Sequence, residues 1–272
     1  MLKDITFGQY FPGDSIIHRL DPRMKLILTI LYIALLFVAD GMIPLFVGVL
    51  LVILAYALSK LSWKLVLRSI KPILPIVIFT AVLNIFFIEG EPLFEFRSIV
   101  ISDRGVLTAA LMCVRIVALI AGSSLLTYTT TPIALTDGLE RLMKPLEKIK
   151  VPVHELSMMM TIALRFIPTL IDETEKIISA QKARGAEMDS GNAIQKAKAL
   201  VPILIPLFVS AFRRADDLAM AMECRCYRGG EGRTRMKQLT LSLKDWVALG
   251  VLALCFAGVI VLNVYGPEVF KL

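Results

Sequence analysis

The sequence has few of the residues from which active sites are built. Its 272 residues include two histidines and four cysteines, and no Ser-His-Asp, His-Glu-x-x-His or G-x-x-x-x-G-K-[ST] pattern is visible. The stretch "GGEGRTR" (229–235) is rich in glycine but lacks the Lys-Ser/Thr pair of a phosphate-binding loop. We therefore expect no catalytic residue, no metal site and no cofactor bound by this chain.

Further absences narrow the class of protein. Cys113 and Cys255 lie in apolar runs whereas Cys224 and Cys226 lie in a basic region, which does not fit a secreted disulfide framework. The Cys-x-Cys pair lacks the two further ligands of a zinc site. The first 23 residues are mixed in polarity and contain two prolines, unlike a cleavable signal peptide. Base-reading motifs are also absent, so we expect no nucleic-acid partner.

Long apolar runs are what the chain does have. It is 57% apolar with a mean hydropathy of +0.73, against about 45–50% apolar in soluble domains. A helix needs about twenty apolar residues to cross a bilayer, so the first two apolar runs, 24–39 and 42–58, are short for transmembrane helices. Asp21 and Pro22 predict the start of the first helix. The sequence therefore predicts an all-α integral membrane protein in the lipid bilayer, with about five transmembrane helices at 24–39, 42–58, 72–88, 105–128 and 246–265.

The distribution of basic residues predicts the topology. Lys and Arg gather at the N-terminus, in the loop 59–71 and in 129–245, which holds 18 of the 30, whereas the loop 89–104 has two beside four acidic residues. By the positive-inside rule the N-terminus and 129–245 are cytoplasmic, and five spans place the C-terminus outside. The predicted divisions are an N-terminal cytoplasmic segment with four spans (1–128), a cytoplasmic domain (129–245) and a last span (246–272).

Arg115 lies near the middle of the fourth apolar run. A charge inside the membrane is costly, so it raises the hypothesis of a transport function. The ordinary alternative, which we favour, is a packed and hydrogen-bonded arginine that faces neighbouring helices. The nearby Ala118, Gly122, Ser123 and Ser124 would allow those helices to approach closely.

The segment 129–245 is too long to be a simple loop. A short amphipathic helix is predicted at 132–144, followed by two long helical patterns at 154–184 and 192–227. Both long patterns are apolar in their first half and polar with an apolar stripe in their second. We expect two long amphipathic helices at or under the membrane, each about 45 Å long at 1.5 Å per residue.

The two long patterns resemble each other weakly when shifted by 41 residues. Residues that match under this shift are Glu175 with Asp216, Ile177 with Leu218, Ala180 with Ala221, and Arg184 with Arg225. Two readings of the arginines remain open. Each could simply end its helix, where a cation complements the helix dipole and Gly185 allows a stop. Alternatively, an exposed arginine between small residues could enter an acidic groove on a partner, since Arg binds carboxylates in bidentate fashion.

Four segments together carry a resemblance that covers almost the whole chain. They are "GQYFPGDSIIHRLDPRMKL" (8–26), "ARG" (183–185), "CRC" (224–226) and the "YRGGEGRTR" that follows. With them the chain resembles the transmembrane T component of energy-coupling-factor transporters, the vitamin and metal importers of the ATP-binding-cassette group. Any single three-residue motif is unspecific, whereas the joint match is highly specific.

The resemblance implies a coupling subunit that is not itself an enzyme. Two ABC-type ATPase subunits would hold ATP and Mg, and a small integral membrane subunit would bind the substrate, all at the plasma membrane of a prokaryote. ATP would close the ATPases, and the docked helices would tilt or slide and thereby reorient the substrate-binding subunit. The implied ATPase-docking residues are Arg184 and Arg225 with their small neighbours Ala183, Gly185, Cys224 and Cys226.

The second arginine motif departs from the family pattern. Cys226 replaces the glycine that would stop the helix, so we expect Gly229 and Gly230 to supply the stop instead. Because this departure changes the expected geometry around Arg225, Arg228 is a secondary candidate for docking to an ATPase subunit.

Other function classes are less well supported by the residues. A self-contained channel or secondary transporter needs polar groups facing a pathway at mid-membrane, where only Arg115, Asn84 and a few hydroxyls qualify. Inverted repeats among the spans are not evident. A membrane-bound enzyme lacks its catalytic cluster, while a membrane scaffold without transport stays open at this point.

Overall fold

The computed structural model describes residues 10–88, 90, 92–96, 99–186, 192–229 and 239–265. Over these ranges the chain is almost entirely helical, which confirms the predicted all-α membrane fold. Its α-helices are α1 (Pro22–Val38), α2 (Met42–Ser59), α3 (Trp63–Ile70), α4 (Leu74–Phe87), α5 (Asp103–Thr129), α6 (Pro132–Met143), α7 (Val153–Ala183), α8 (Ala193–Cys224) and α9 (Leu243–Tyr265).

The chain divides into two compact units. One consists of Gly8–Arg141 with Gln238–Leu272, and the other of Met1–Phe7 with Leu142–Lys237. The first, which we call the membrane unit, contains α1 to α5, most of α6, and α9; the second contains α7 and α8. The predicted boundaries at 128/129 and 245/246 separate membrane-spanning segments from a cytoplasmic segment. They describe topology rather than compact units, and they stay a prediction.

Four stretches in the described part of the chain are long and apolar enough to cross a bilayer. They are α2, the continuous stretch from α3 through α4, α5 and α9. Helix α1 has 17 residues, the lower end of the range of about 17–25 that spans a membrane. It begins as predicted, because the Asp21 carboxylate accepts a hydrogen bond from the Arg23 amide (2.9 Å) and Pro22 occupies the first helical position.

The predicted loop at 59–71 is wrong for most of its length. Ser62 caps α3 by accepting a hydrogen bond from the Lys64 amide, and a 3-10 turn at Lys71–Ile73 joins α3 to α4. Pro72 and Pro75 do not separate loop from span, because each stands in the first turn of its own helical segment, where the missing N–H costs no hydrogen bond.

The predicted loop at 89–104 contains a β-hairpin in its described part. Strands β1 (Pro92–Phe96) and β2 (Ile99–Ser102) pair antiparallel, with Phe96 opposite Ile99. The Ser102 hydroxyl then caps α5 by accepting from the Gly105 amide (3.0 Å), and it donates to the Ile88 carbonyl (2.6 Å). This hairpin adds a small β element to the otherwise helical fold.

Tyrosine side chains join the helices at the centre of the membrane unit. The Tyr32 hydroxyl lies 3.3 Å from the carbonyl oxygens of both Gly48 and Ala118, so α1 is tied to α2 and α5. Gly122 leaves room for the ring, since a Cβ there would lie 2.3 Å from a Tyr32 ring carbon. The predicted close approach at Ala118 and Gly122 is therefore confirmed, whereas Ser123 is exposed.

Arg115 is a structural residue in the membrane unit. One guanidinium nitrogen donates to the carbonyl of Ala39, the residue that ends α1, at 2.5 Å. Asn263 of α9 donates to the neighbouring Val38 carbonyl at the same distance. A cation at a helix C-terminus complements the helix dipole, and here it satisfies a carbonyl that α1 leaves open. The packed and hydrogen-bonded reading of Arg115 is confirmed.

A buried polar cluster holds the starts of α1 and α9 together at the end of α5. The Asp245 carboxylate accepts hydrogen bonds from the backbone amides of Asp21 (2.9 Å) and Ser242 (2.7 Å). The buried Lys25 ammonium donates to the Thr129 carbonyl at 2.8 Å. The conspicuous "LDPRMK" of the opening motif (20–25) thus fastens three helix ends within the membrane unit.

Candidate functional site

Helix α7 confirms the long helical pattern predicted at 154–184 and ends next to its arginine. Ala183 is the last helical residue, Arg184 is the C-cap (φ −85°, ψ 5°), and Gly185 takes the left-handed conformation (φ 83°). Two hydrogen bonds close this end, from the Gly185 amide to the Lys182 carbonyl (3.0 Å) and from the Ala186 amide to the Gln181 carbonyl (3.0 Å). This pair of bonds defines a Schellman motif.

Helix α8 ends in the same way. Cys224 is the last helical residue, Arg225 is the C-cap (φ −93°, ψ 12°), and Cys226 is left-handed (φ 56°). The two closing bonds run from the Cys226 amide to the Glu223 carbonyl (2.8 Å) and from the Tyr227 amide to the Met222 carbonyl (3.0 Å). The two closing hydrogen bonds therefore match under the shift of 41 residues.

The expectation that glycines 229 and 230 stop α8 is wrong. Cys226 itself adopts the positive φ that Gly185 adopts in the first copy, even though it carries a Cβ. Gly229 also has a positive φ (87°), but it lies beyond the helix end. Gly230 falls outside the described residues. Because left-handed backbone is unfavourable for residues other than glycine, the second end keeps its shape at a conformational cost.

Both arginines are exposed and stand between exposed small residues. In the first copy these neighbours are Ala183 and Gly185, and in the second Cys224 and Cys226, which are free thiols. Among the described residues, neither guanidinium makes an ion pair, so both keep their full donor capacity. A Cβ placed on Gly185 would meet nothing within 4 Å. The exposed Arg228 follows in irregular backbone rather than on a helix end.

Helices α7 and α8 are joined by a polar contact that the sequence analysis missed. The Glu173 carboxylate receives the Arg214 guanidinium at 2.7 Å and the Ser210 hydroxyl at 2.5 Å. Arg214 also stacks over the Phe166 ring, 5.8 Å from its centre. We call this Glu173–Arg214 contact the crossing pair. Positions 173 and 214 are equivalent under the shift of 41, but that equivalence does not predict a contact between them.

The two helices run in opposite senses past the crossing pair. Gln181 lies eight residues after Glu173, and its amide donates to the carbonyl of Pro202, twelve residues before Arg214. Arg184 follows Glu173 by 11 residues, and Arg225 follows Arg214 by 11 residues. Neither 174–184 nor 215–225 contains a proline, so both segments can be regular helix. At 1.5 Å per residue, each arginine lies about 16 Å along its helix beyond the crossing pair. The arrangement presents two equivalent arginine tips on opposite arms.

The model of a family described as "Cobalt transport protein" (CbiQ) matches residues 13–238 of the chain, which include both arginine tips and the crossing pair. The chain belongs to the CbiQ family. This membership confirms the resemblance predicted from the opening motif, "ARG" and "CRC".

Relatives of this CbiQ-family chain carry one name, energy-coupling factor transporter transmembrane protein EcfT. The relative from Clostridium kluyveri is 57% identical over 250 residues, which cover 91% of this chain and 93% of that protein. The relative from Thermosediminibacter oceani is 52% identical over 93% of this chain and 96% of its own length. The relative from Ruminiclostridium cellulolyticum is 53% identical over 97% of this chain. The chain is thus a transmembrane component of an energy-coupling-factor transporter.

Proposed function

We propose that this chain is the coupling subunit of an energy-coupling-factor importer. It transmits the ATP-driven movement of two ATPase subunits, which hold ATP and Mg, to a separate membrane protein that binds a vitamin or a related micronutrient. The observation that carries this proposal is the pair of matching, exposed arginine tips at the ends of α7 and α8. Both belong to one crossed pair of helices.

The chemistry of each tip suits insertion into an acidic groove. The Arg184 and Arg225 guanidinium groups offer donors in a fixed fork, which matches a carboxylate in bidentate fashion. Their exposed flanking residues are Ala, Gly or Cys, so no bulky side chain stands beside the fork. A helix that only needed a stop would not require an unpaired arginine at both C-caps. We therefore propose that the small neighbours of the two arginines also contact the ATPase grooves: Ala183, Gly185, Cys224 and Cys226. Arg228 is a secondary contact.

The separation of the tips favours two docking partners rather than one. Each arginine lies about 16 Å beyond the crossing, in opposite senses, so the tips stand up to about 33 Å apart. A single narrow groove would not receive both. Two ATPase subunits that close on ATP would draw the tips together, and the crossed helices would then tilt about the crossing pair.

The first half of α8 offers a surface for the substrate-binding subunit or the bilayer. Its exposed large apolar side chains include Leu200, Leu204, Phe208 and Phe212. Exposed apolar patches of this kind mark a protein or membrane contact. In the proposed topology the N-terminus and 129–245 are cytoplasmic and the C-terminus is outside, in the plasma membrane of a prokaryote.

The alternative of a self-contained channel or secondary transporter gains nothing from the described residues. Arg115 is engaged at the end of α1, and the Asn84 amide donates to the Thr80 carbonyl within its own helix (2.8 Å). The polar groups that a pathway would need are therefore used within the protein.

The proposal is tested by reversing the charge of both tips. The double variant Arg184→Glu with Arg225→Glu should insert normally but lose the ATPases on co-purification, because each acidic groove would meet a carboxylate. The matched control is Lys144→Glu with Lys148→Glu, two exposed residues of the same unit that lie far from the tips in sequence. Normal co-purification and normal uptake by the arginine double variant would defeat the proposal.

A further inference from the structure

An apolar groove of about 530 Å³ lies within the membrane unit, between α1, α2, α5 and α9. Its walls are mostly aliphatic, with Leu54, Leu125 and Val251 on three of the four helices. Small residues, Ala55 of α2 and Ala248 of α9, leave the space open. The proposed coupling function makes no use of this groove.

The groove has one polar end and one apolar end. Helices α1 and α9 begin, and α2 and α5 finish, on the same side of the membrane unit, where Lys25, Thr129 and Lys244 line the groove. From Leu243 to Leu252 its lining on α9 covers a rise of about 14 Å, close to half of the roughly 30 Å hydrocarbon core. Its length therefore fits one leaflet rather than the whole bilayer.

Lys244 supplies a free cation at the mouth of the groove. Its side chain is exposed and makes no ion pair with any residue that the structure describes. The neighbouring Asp245 carboxylate is buried and accepts hydrogen bonds from two backbone amides, and it makes no ion pair with Lys244. Lys25 is likewise engaged by the carbonyls of His18 and Thr129.

We propose that this groove binds an acyl chain of an anionic phospholipid from the cytoplasmic leaflet, with the lipid phosphate at Lys244. An apolar slot of one leaflet's depth takes a hydrocarbon chain, and the unpaired ammonium at its polar end complements a headgroup with net negative charge. The end with Lys244 is the end where the N-terminal segment enters α1, which the positive-inside rule assigns to the cytoplasm. A zwitterionic lipid would also place its acyl chain in the groove, but its headgroup would be attracted less strongly to the Lys244 ammonium.

The test uses the full chain with its co-purifying partners in nanodiscs of phosphatidylglycerol and phosphatidylcholine in equal amounts. Retained lipid is identified by native mass spectrometry after release into detergent. We expect phosphatidylglycerol to be retained several-fold over phosphatidylcholine by the wild type. Lys244→Ala should remove that preference, whereas Lys64→Ala, at an exposed lysine of α3, should keep it.

A groove-filling variant tests the slot itself. Ala248→Phe should abolish retention of both lipids; where it lowers the yield of folded complex, Ala55→Phe fills the slot from α2. Equal retention of the two lipids by the wild type, or unchanged retention in the filled variants, would overturn the proposal. A photo-crosslinker at position 248 should label lipid; labelling of a partner protein would assign the groove to that partner instead.

Discussion

Glu173 and Arg214 occupy equivalent places in the two long helices, and their carboxylate and guanidinium meet at 2.7 Å. Each stands 11 residues before the arginine that caps its helix. The contact is partly exposed, with 34% of the Arg214 side chain and 27% of the Glu173 side chain accessible, so its contribution to stability is at most about 1 kcal/mol. The pair matters for its position, because it lies where the two helices cross.

Reversing one charge of the crossing pair should loosen the crossing without removing the tips. Glu173→Arg places two guanidinium groups together, so we expect uptake to fall several-fold while the ATPases still co-purify. Adding Arg214→Glu should restore much of the uptake, since the ion pair forms again in the opposite sense. Asp217→Arg, the same charge change at an exposed acid of α8, is the control. Failure of the charge swap to restore uptake would remove the positioning role.

Replacing Cys226 by glycine should stabilise the end of α8. Its φ of 56° is unfavourable for a residue with a Cβ, and relief of this cost is worth about 1 kcal/mol. Hydrogen exchange at the amides of Cys226 and Tyr227 should slow by about fivefold, as expected for that change in local opening. The reciprocal variant Gly185→Ala should speed exchange at Ala186. Unchanged exchange in both variants would show that these ends do not open locally.

Filling the space beside Tyr32 should destabilise the membrane unit. In Gly122→Ala the new methyl would start 2.3 Å from a Tyr32 ring carbon, so the ring must move and weaken its contacts with Gly48 and Ala118. Overpacking of this kind costs about 1–3 kcal/mol. Gly250→Ala, where nothing lies within 4 Å, is the control and should leave the melting temperature in detergent unchanged. Equal melting temperatures for the two variants would contradict this packing.

Removing the Asp245 carboxylate should separate the starts of α1 and α9. Asp245→Ala leaves the buried Asp21 amide without its acceptor, at a cost of about 1–3 kcal/mol for an unsatisfied buried group, and it also removes the acceptor of the part-buried Ser242 amide. Thermal melting of the purified chain should drop clearly, whereas Asp40→Ala, at an exposed aspartate, should have little effect. A melting temperature that does not change in Asp245→Ala would refute the role of the cluster.

The helices were predictable because their signals are local. Long apolar runs located α5 and α9, a helical pattern located α7, and the Asp21–Pro22 cap located the start of α1. Helix α3 was missed because the lysines and arginines at 59–71 were assigned to a loop between two spans.

The site was predictable in its residues but only partly in its geometry. Arg184 and Arg225 stand out in the sequence, whereas the left-handed Cys226 contradicts the expectation for a residue with a side chain. The crossing pair depends on which faces of α7 and α8 meet, and that is decided by packing between segments. The shift of 41 residues indicates that positions 173 and 214 are equivalent in the two helices. It does not predict that their side chains are in contact.

In the proposed mechanism the arginine tips couple ATPase movement to the helices. This coupling should change the distance between spin labels at Ser179→Cys and Met220→Cys, exposed positions that match under the shift of 41, with the native cysteines replaced. In the complete complex ATP should shorten this distance, and the Arg184→Glu, Arg225→Glu background should abolish the change. A distance that ATP leaves unaltered in an actively transporting complex would contradict the account.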